Sequence, residues 1–217
     1  RREKPFLVIG SPPCTAFSAI QALNRHRGTD ADRRRRHAEG LVHLGFAVEV
    51  YKLQLAAGRH FLHEHPANAS SWQEEAVVGL RQDPRVGEVV GDQCRYGLTT
   101  DAPGCRRIPA MKPTRFLSSS PAILDRLSLR CRGVHAHQQL VGGPRTSAAA
   151  VYPPGLCRAI LSGAEEQWRR DHGTPPGPVM AALRAGTGIF HLSSNASTAG
   201  EVDEVPESEE VKLPADL

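Results

Sequence analysis

The chain has 217 residues, 40% of them hydrophobic, which is enough for one domain with a real core. Aromatic residues make up only 5%, while 20 glycines and 17 prolines argue against order extending to both ends. The net charge of +4 is unevenly spread. Residues 1–200 hold 26 basic against 16 acidic side chains, whereas 201–217 hold seven acidic residues and one lysine. No apolar run approaches the roughly 18 residues that a membrane span needs. Cysteines at 14, 94, 105, 131 and 157 form no regular disulfide framework. A reducing, nuclear or otherwise intracellular setting without a membrane partner is expected.

The apolar run 5–10 reads as a buried strand, bounded by Pro5 and Gly10. Ser11-Pro12-Pro13-Cys14-Thr15-Ala16-Phe17-Ser18 follows as a loop that lifts a thiol off the strand end, with a short helix expected from 17 to 24. A long helix is expected over 32–58, because Leu41, Leu44, Val48, Tyr51 and Leu55 recur at steps of three and four along one face. Residues 60–64 form a second strand, within Phe61-Leu62-His63-Glu64-His65-Pro66. Ser71 and Glu74 offer a capping box for a helix to about 81. Strands are expected at 86–90 and 115–118, with a Gly, Pro and Arg-rich loop at 97–110. Helices follow from 121 to about 129 and from 153 to about 161, the second extendable as a polar helix through 171. This alternation is the order of a parallel α/β sheet. The division expected is an α/β domain over 1–172 and a linker or disordered acidic tail over 173–217.

In such sheets the ends of neighbouring parallel strands line the ligand crevice. Cys14 and Glu64 are therefore expected to share one site. The pairing resembles the cytosine-C5 DNA methyltransferases, whose Pro-Cys loop carries the nucleophile and whose next strand ends in Glu-Asn-Val or Glu-Asn-Pro. His65 stands where that family usually has Asn, which puts the loop geometry in question. Lys112-Pro113-Thr114-Arg115-Phe116-Leu117 is similar to a later strand bearing basic residues. Ala149-Ala150-Val151-Tyr152-Pro153-Pro154 is similar to the family's C-terminal helix start. The resemblance covers roughly residues 5–163.

The resemblance implies a partial Rossmann-like methyltransferase sheet of mostly parallel strands with flanking helices, lacking the N-terminal donor-binding strands. It implies a catalytic segment that uses S-adenosyl-L-methionine, with most of the donor site missing and the isolated chain inactive. Cys14, Glu64 and Arg115 are the implied catalytic residues. Pro12, Pro13, Phe17, Ser18, Arg33, Arg34, Arg35, Arg36 and Lys112 are implied at the DNA substrate, and Ser11, Pro12, Ala150 and Val151 at the methyl donor. Without the family's first strand, residues 6–9 would be an exposed apolar edge that invites pairing. The missing N-terminal half or other domains of a longer polypeptide are the expected partners, besides DNA.

The chemistry follows from the residue types. Cytosine C5 is a poor nucleophile until a group adds at C6, and a free thiol of pKa near 8.5 is only about 3% ionised at neutral pH. Cys14 would attack C6 while Glu64 holds and protonates N3. The base must first leave the stack, at a cost of a few kcal/mol. The basic run 33–36 opposes the macrodipole at a helix start, so phosphate contact is one reading and a solvated basic turn the other. Two alternatives stay open. One is a non-catalytic nucleic-acid-binding module of a multidomain or transposon-related protein. The other concerns Cys131, His135 and His137, which with Cys94 or Cys105 supply zinc-ligand types at a spacing that matches no standard finger. The leading reading assigns no metal.

Overall fold

The computed structural model describes residues 3–18, 29–102, 105–140, 146, 148–173 and 189–193. Strands β1 (Leu7–Ser11), β2 (His60–Pro66), β3 (Gly87–Asp92), β6 (Pro113–Ser118) and β7 (Ile189–Ser193) form one sheet in the order β3-β6-β2-β1-β7. β4 (Thr99–Ala102) and β5 (Cys105–Pro109) make a separate antiparallel hairpin. The helices are α1 (Asp30–Ala56), α2 (Glu75–Arg81), α3 (Pro121–Leu127) and α4 (Pro154–His172).

The sheet is mixed, not mostly parallel. β1 runs parallel to β2 and to β7, whereas β6 is antiparallel to both β2 and β3. The cause lies in the connections. Between β1 and β2 stands the 27-residue α1, long enough for a crossover. Between β3 and β6 there is only a 3-10 turn (Gln93–Tyr96) and the hairpin, which return the chain beside the strand it left.

Alternation along the strands sorts the core into two layers. Val8, Phe61 and Leu117 point to one face and pack with Leu44, Ala47, Val48, Tyr51 and Leu55 of α1 and with Trp72 and Val77. Leu7, Ile9, Leu62 and Phe116 point to the other, against Ile123, Leu124 and Leu127 of α3 and Leu156 and Ile160 of α4. Each such fully buried side chain is worth about 1.5–3 kcal/mol relative to exposure. Four of the five apolar positions expected on α1 are buried, and Leu41 sits at the rim, 38% exposed. α1 begins with a capping box in which Thr29 Oγ1 accepts from the Asp32 N–H and Asp32 Oδ2 accepts from the Thr29 N–H.

Three expectations are corrected. The edge at 6–9 is not bare: β7 pairs with β1 from Leu7↔Ile189 to Ser11↔Ser193, so part of the expected linker is a strand. The loop expected at 97–110 contains the hairpin. Ser71 caps no helix, because its Oγ is engaged by His65 Nδ1 at 2.6 Å and Glu74 is the residue before α2. The polar segment 165–171 extends the helix that starts at Pro154, as expected. The helix expected at 17–24 falls largely outside the described residues, as do the helical patch near 179–184 and the acidic tail. Immediately after Cys14 the chain makes a 3-10 turn, Thr15–Phe17.

Candidate active site

β1 and β2 are parallel and in register from Leu7↔His60 to Gly10↔His63, so Ser11 and Glu64 come next to each other at one rim of the sheet. Ser11 Oγ donates to Glu64 Oε2 at 2.5 Å. The Tyr152 hydroxyl donates to the same oxygen at 3.1 Å and lies 2.9 Å from Ser11 Oγ. Glu64 is only 5% exposed. Its second oxygen, Oε1, is buried and accepts no hydrogen bond from the described residues. Lys112 Nζ stands 3.9 Å from Oε1 and donates to the Ala149 carbonyl at 3.1 Å.

Cys14 is half-buried at the start of the 3-10 turn, with its carbonyl accepting from the Phe17 N–H at 3.0 Å. Burial raises its thiol above the ordinary 9.0; the Glu64 charge raises it further and Lys112 opposes the rise. The three side chains thus act on one another electrostatically at one rim. The same carboxylate adds to burial in pushing the Tyr152 phenol well above its usual range.

The position that departs from the family pattern holds the loop. His65 is fully buried; its Nε2–H donates to the Pro12 carbonyl at 2.8 Å, and its Nδ1 accepts from Ser71. Burial keeps this imidazole neutral by lowering its pKa. Next to it, Tyr51 Oη meets His63 Nδ1 at 3.1 Å, and burial drives the His63 pKa well down.

Several expected site residues lie elsewhere. Arg115 belongs to the opposite face of the sheet from Glu64: its guanidinium sits 5.3 Å from the Trp72 ring and pairs with Glu88 at 3.2 Å. A one-residue step along β6 reverses the face, so Arg115 shares a side with Leu117, and Lys112 supplies the cation beside Glu64. Phe17 is 1% exposed and packs edge-on against His37, so it is core and not a substrate contact. Pro12 is buried, Pro13 and Ser18 half-buried. Arg34, Arg35 and Arg36 lie on the first turns of α1; Arg33 pairs with Asp30, and Arg35 with Asp32 and Glu39.

Of the residues expected at a methyl donor, Ser11 is turned to Glu64 and the Pro12 carbonyl to His65, while Ala150 and Val151 are exposed. Among the described residues no glycine-rich turn follows a strand, so nothing there cradles a ribose or adenine. The residues do not fit the donor.

Tyr152 is the residue at this rim that sequence reasoning passed over. Its only signal was its place immediately before Pro153-Pro154. Those prolines open α4, and Gly155 lets the helix start close against the turn Gln93–Tyr96: a Cβ there would lie 2.2 Å from the Tyr96 carbonyl oxygen. Among the described residues no helix is long and apolar enough to cross a membrane. No family model, curated protein or solved structure matches the chain.

Proposed function

We propose that this rim is the target-base half of a cytosine-C5 DNA methyltransferase catalytic segment, acting on a flipped cytosine; the described residues supply no site for its methyl donor. The observation that carries the reading is the buried Oε1 of Glu64, which accepts no hydrogen bond from the described residues, on the same rim as the Cys14 thiol. A carboxylate with one oxygen held by Ser11 and Tyr152 and the other left without a donor is arranged to engage a ring nitrogen.

The Cys14 thiol gives its proton to the Glu64 carboxylate and its sulfur bonds to C6; the C5=C6 pair becomes a C4=C5 bond, the C4=N3 pair moves to N3, and Glu64 passes that same proton to N3. Glu64 in its charged form discourages the thiolate, and a Glu64 engaged with N3 does so less, so ionisation of Cys14 is favoured when the base is seated. Lys112 offsets the remaining negative charge. The arginines at 34–36 suit the DNA backbone, and a nuclear location suits that substrate.

The addition step is tested without a donor. The full chain is incubated with DNA carrying 2-pyrimidinone in place of cytosine, whose C6 is more electrophilic, and adducts are read by mass spectrometry. A DNA–peptide bond at Cys14 is expected, abolished by Cys14→Ser and slowed about 10²- to 10⁴-fold by Glu64→Gln. Salt-dependent binding without any adduct would replace the enzyme by a non-catalytic nucleic-acid-binding module.

A further inference from the structure

Two strands over from Glu64, past the end of β3, Cys94, Cys131, His135 and His137 offer four donor atoms that all lie within 4.8 Å of one another. We propose that they form a closed structural zinc site. The inference goes beyond the methyltransferase reading and uses none of its residues, so either can fail alone.

The geometry is that of a ligand shell. Cys131 Sγ lies 3.4 Å from His137 Nε2 and 3.7 Å from His135 Nε2. With Zn–S near 2.3 Å and Zn–N near 2.0–2.1 Å, the sulfur–nitrogen edge of a tetrahedron is about 3.5 Å. A single S–H proton serves one imidazole, whereas here both rings aim Nε2 at the same sulfur, their centroids 4.5 Å apart and their planes at 71°. Two thiols and two imidazoles select zinc over magnesium or calcium, and four protein ligands leave no open position for catalysis.

The chain is shaped to present these groups. Gly133 takes a left-handed φ of 73°, which turns the chain back so that its N–H points at Cys131 Sγ at 3.4 Å, as suits a thiolate. Asp92 Oδ2 accepts from the Cys131 N–H at 2.7 Å and from Arg130 Nε at 3.0 Å, holding this segment against the end of β3. Cys94 leaves the same strand end in the turn Gln93–Tyr96. On the far side the Gln138 N–H donates to the Pro109 carbonyl. The metal would therefore pin the segment after α3 to the turn after β3. That turn also holds the lysine strand, since the Gln93 N–H donates to the Lys112 carbonyl at 3.2 Å and Gln93 Nε2 to Thr114 Oγ1 at 2.9 Å.

The test uses the full chain purified from zinc-supplemented medium. Elemental analysis should give about one zinc per chain, and Co²⁺ exchanged for it should give the intense visible bands of tetrahedral thiolate coordination. Cys131→Ser and His137→Ala should lose most of the metal, while Cys14→Ser keeps it. Folded wild-type protein that holds neither zinc nor tetrahedral cobalt overturns the site, as does full zinc retention in Cys131→Ser. Should the variants not fold, alkylation of the wild type decides. Cys94 and Cys131 should react at least about tenfold faster after a chelator is added, because a metal-bound thiolate is shielded from the reagent. Equal rates with and without chelator overturn the proposal.

Discussion

Replacing Gly10 by Ala tests how β1 and α1 set the floor of the rim. A Cβ at this position would lie 1.7 Å from Tyr51 Oη and 2.7 Å from its Cζ. Tyr51 cannot yield cheaply: it is fully buried, stacked on Phe61 at 4.6 Å and hydrogen-bonded to His63 Nδ1. Overpacking of this kind costs about 1–3 kcal/mol, and leaving the buried His63 nitrogen without its partner costs about 1–3 kcal/mol more. At about 2–4 °C per kcal/mol for a chain of this size, the midpoint of thermal unfolding should fall by about 5–20 °C. Tyr51→Phe alone should cost about 1–3 kcal/mol through His63. The double variant should be at least about 1 kcal/mol more stable than additivity requires, because the atom that the new methyl strikes has gone. Circular dichroism melts of the four proteins complete the cycle. A Gly10→Ala protein that melts within about 1 °C of wild type, or energies that simply add, would refute the contact and with it the placement of α1 over β1.

The raised Cys14 thiol makes a second prediction. Its folded pKa lies above the unfolded value, so the folded chain binds more protons at alkaline pH and stability should fall as pH rises above about 9. The alkylation midpoint should lie above 9.0 in wild type, lower in Glu64→Gln and higher in Lys112→Ala; an unmoved Glu64→Gln profile would separate the two groups. His63 and His65 have the opposite sign. Burial lowers both, so the unfolded chain takes up more protons below pH 6.5 and stability should be lost as pH falls from there, with a shallower slope in His65→Gln by urea titration. In the adduct assay Lys112→Ala should slow bond formation while Arg115→Ala, on the other face, leaves the rate within about twofold, a free-energy difference of no more than about 0.4 kcal/mol; the reverse ranking would move the cation of the site. Converting the basic run 33–36 to Gln should flatten the salt dependence of DNA binding if these side chains meet phosphates, and an unchanged slope would assign them to a solvated helix start.

The site was legible in part because its two principal residues sit at strand ends. An apolar run bounded by Pro5 and Gly10 located β1 and helical spacing located α1, and a crossover helix between two strands makes them parallel, so the expectation that Cys14 and Glu64 stand at one rim followed from local patterns. Arg115 was misplaced because residue type carries no information about which side of a strand faces which layer; a shift of one position decides it. Phe17 was misjudged for a related reason, since an aromatic after a reactive loop serves equally as ligand contact or as a core plug. His65 looked like a departure that put the loop geometry in question, yet its ring spans from Ser71 to the Pro12 carbonyl and fastens it.

Composition, hydrophobic period and turn residues by themselves determined a mixed helix and strand domain, a thiol and a carboxylate at strand ends, and a basic body with an acidic tail, because each of these is written in neighbouring residues. Only the tertiary structure decided that β6 runs antiparallel, that β7 returns from 189–193 to cover β1, that Tyr152 reaches Glu64, and that Cys94 comes within 4.8 Å of Cys131, His135 and His137. Those outcomes join residues far apart in the chain, as in Leu7↔Ile189. Contacts at that separation depend on how whole layers pack, and no local propensity encodes them.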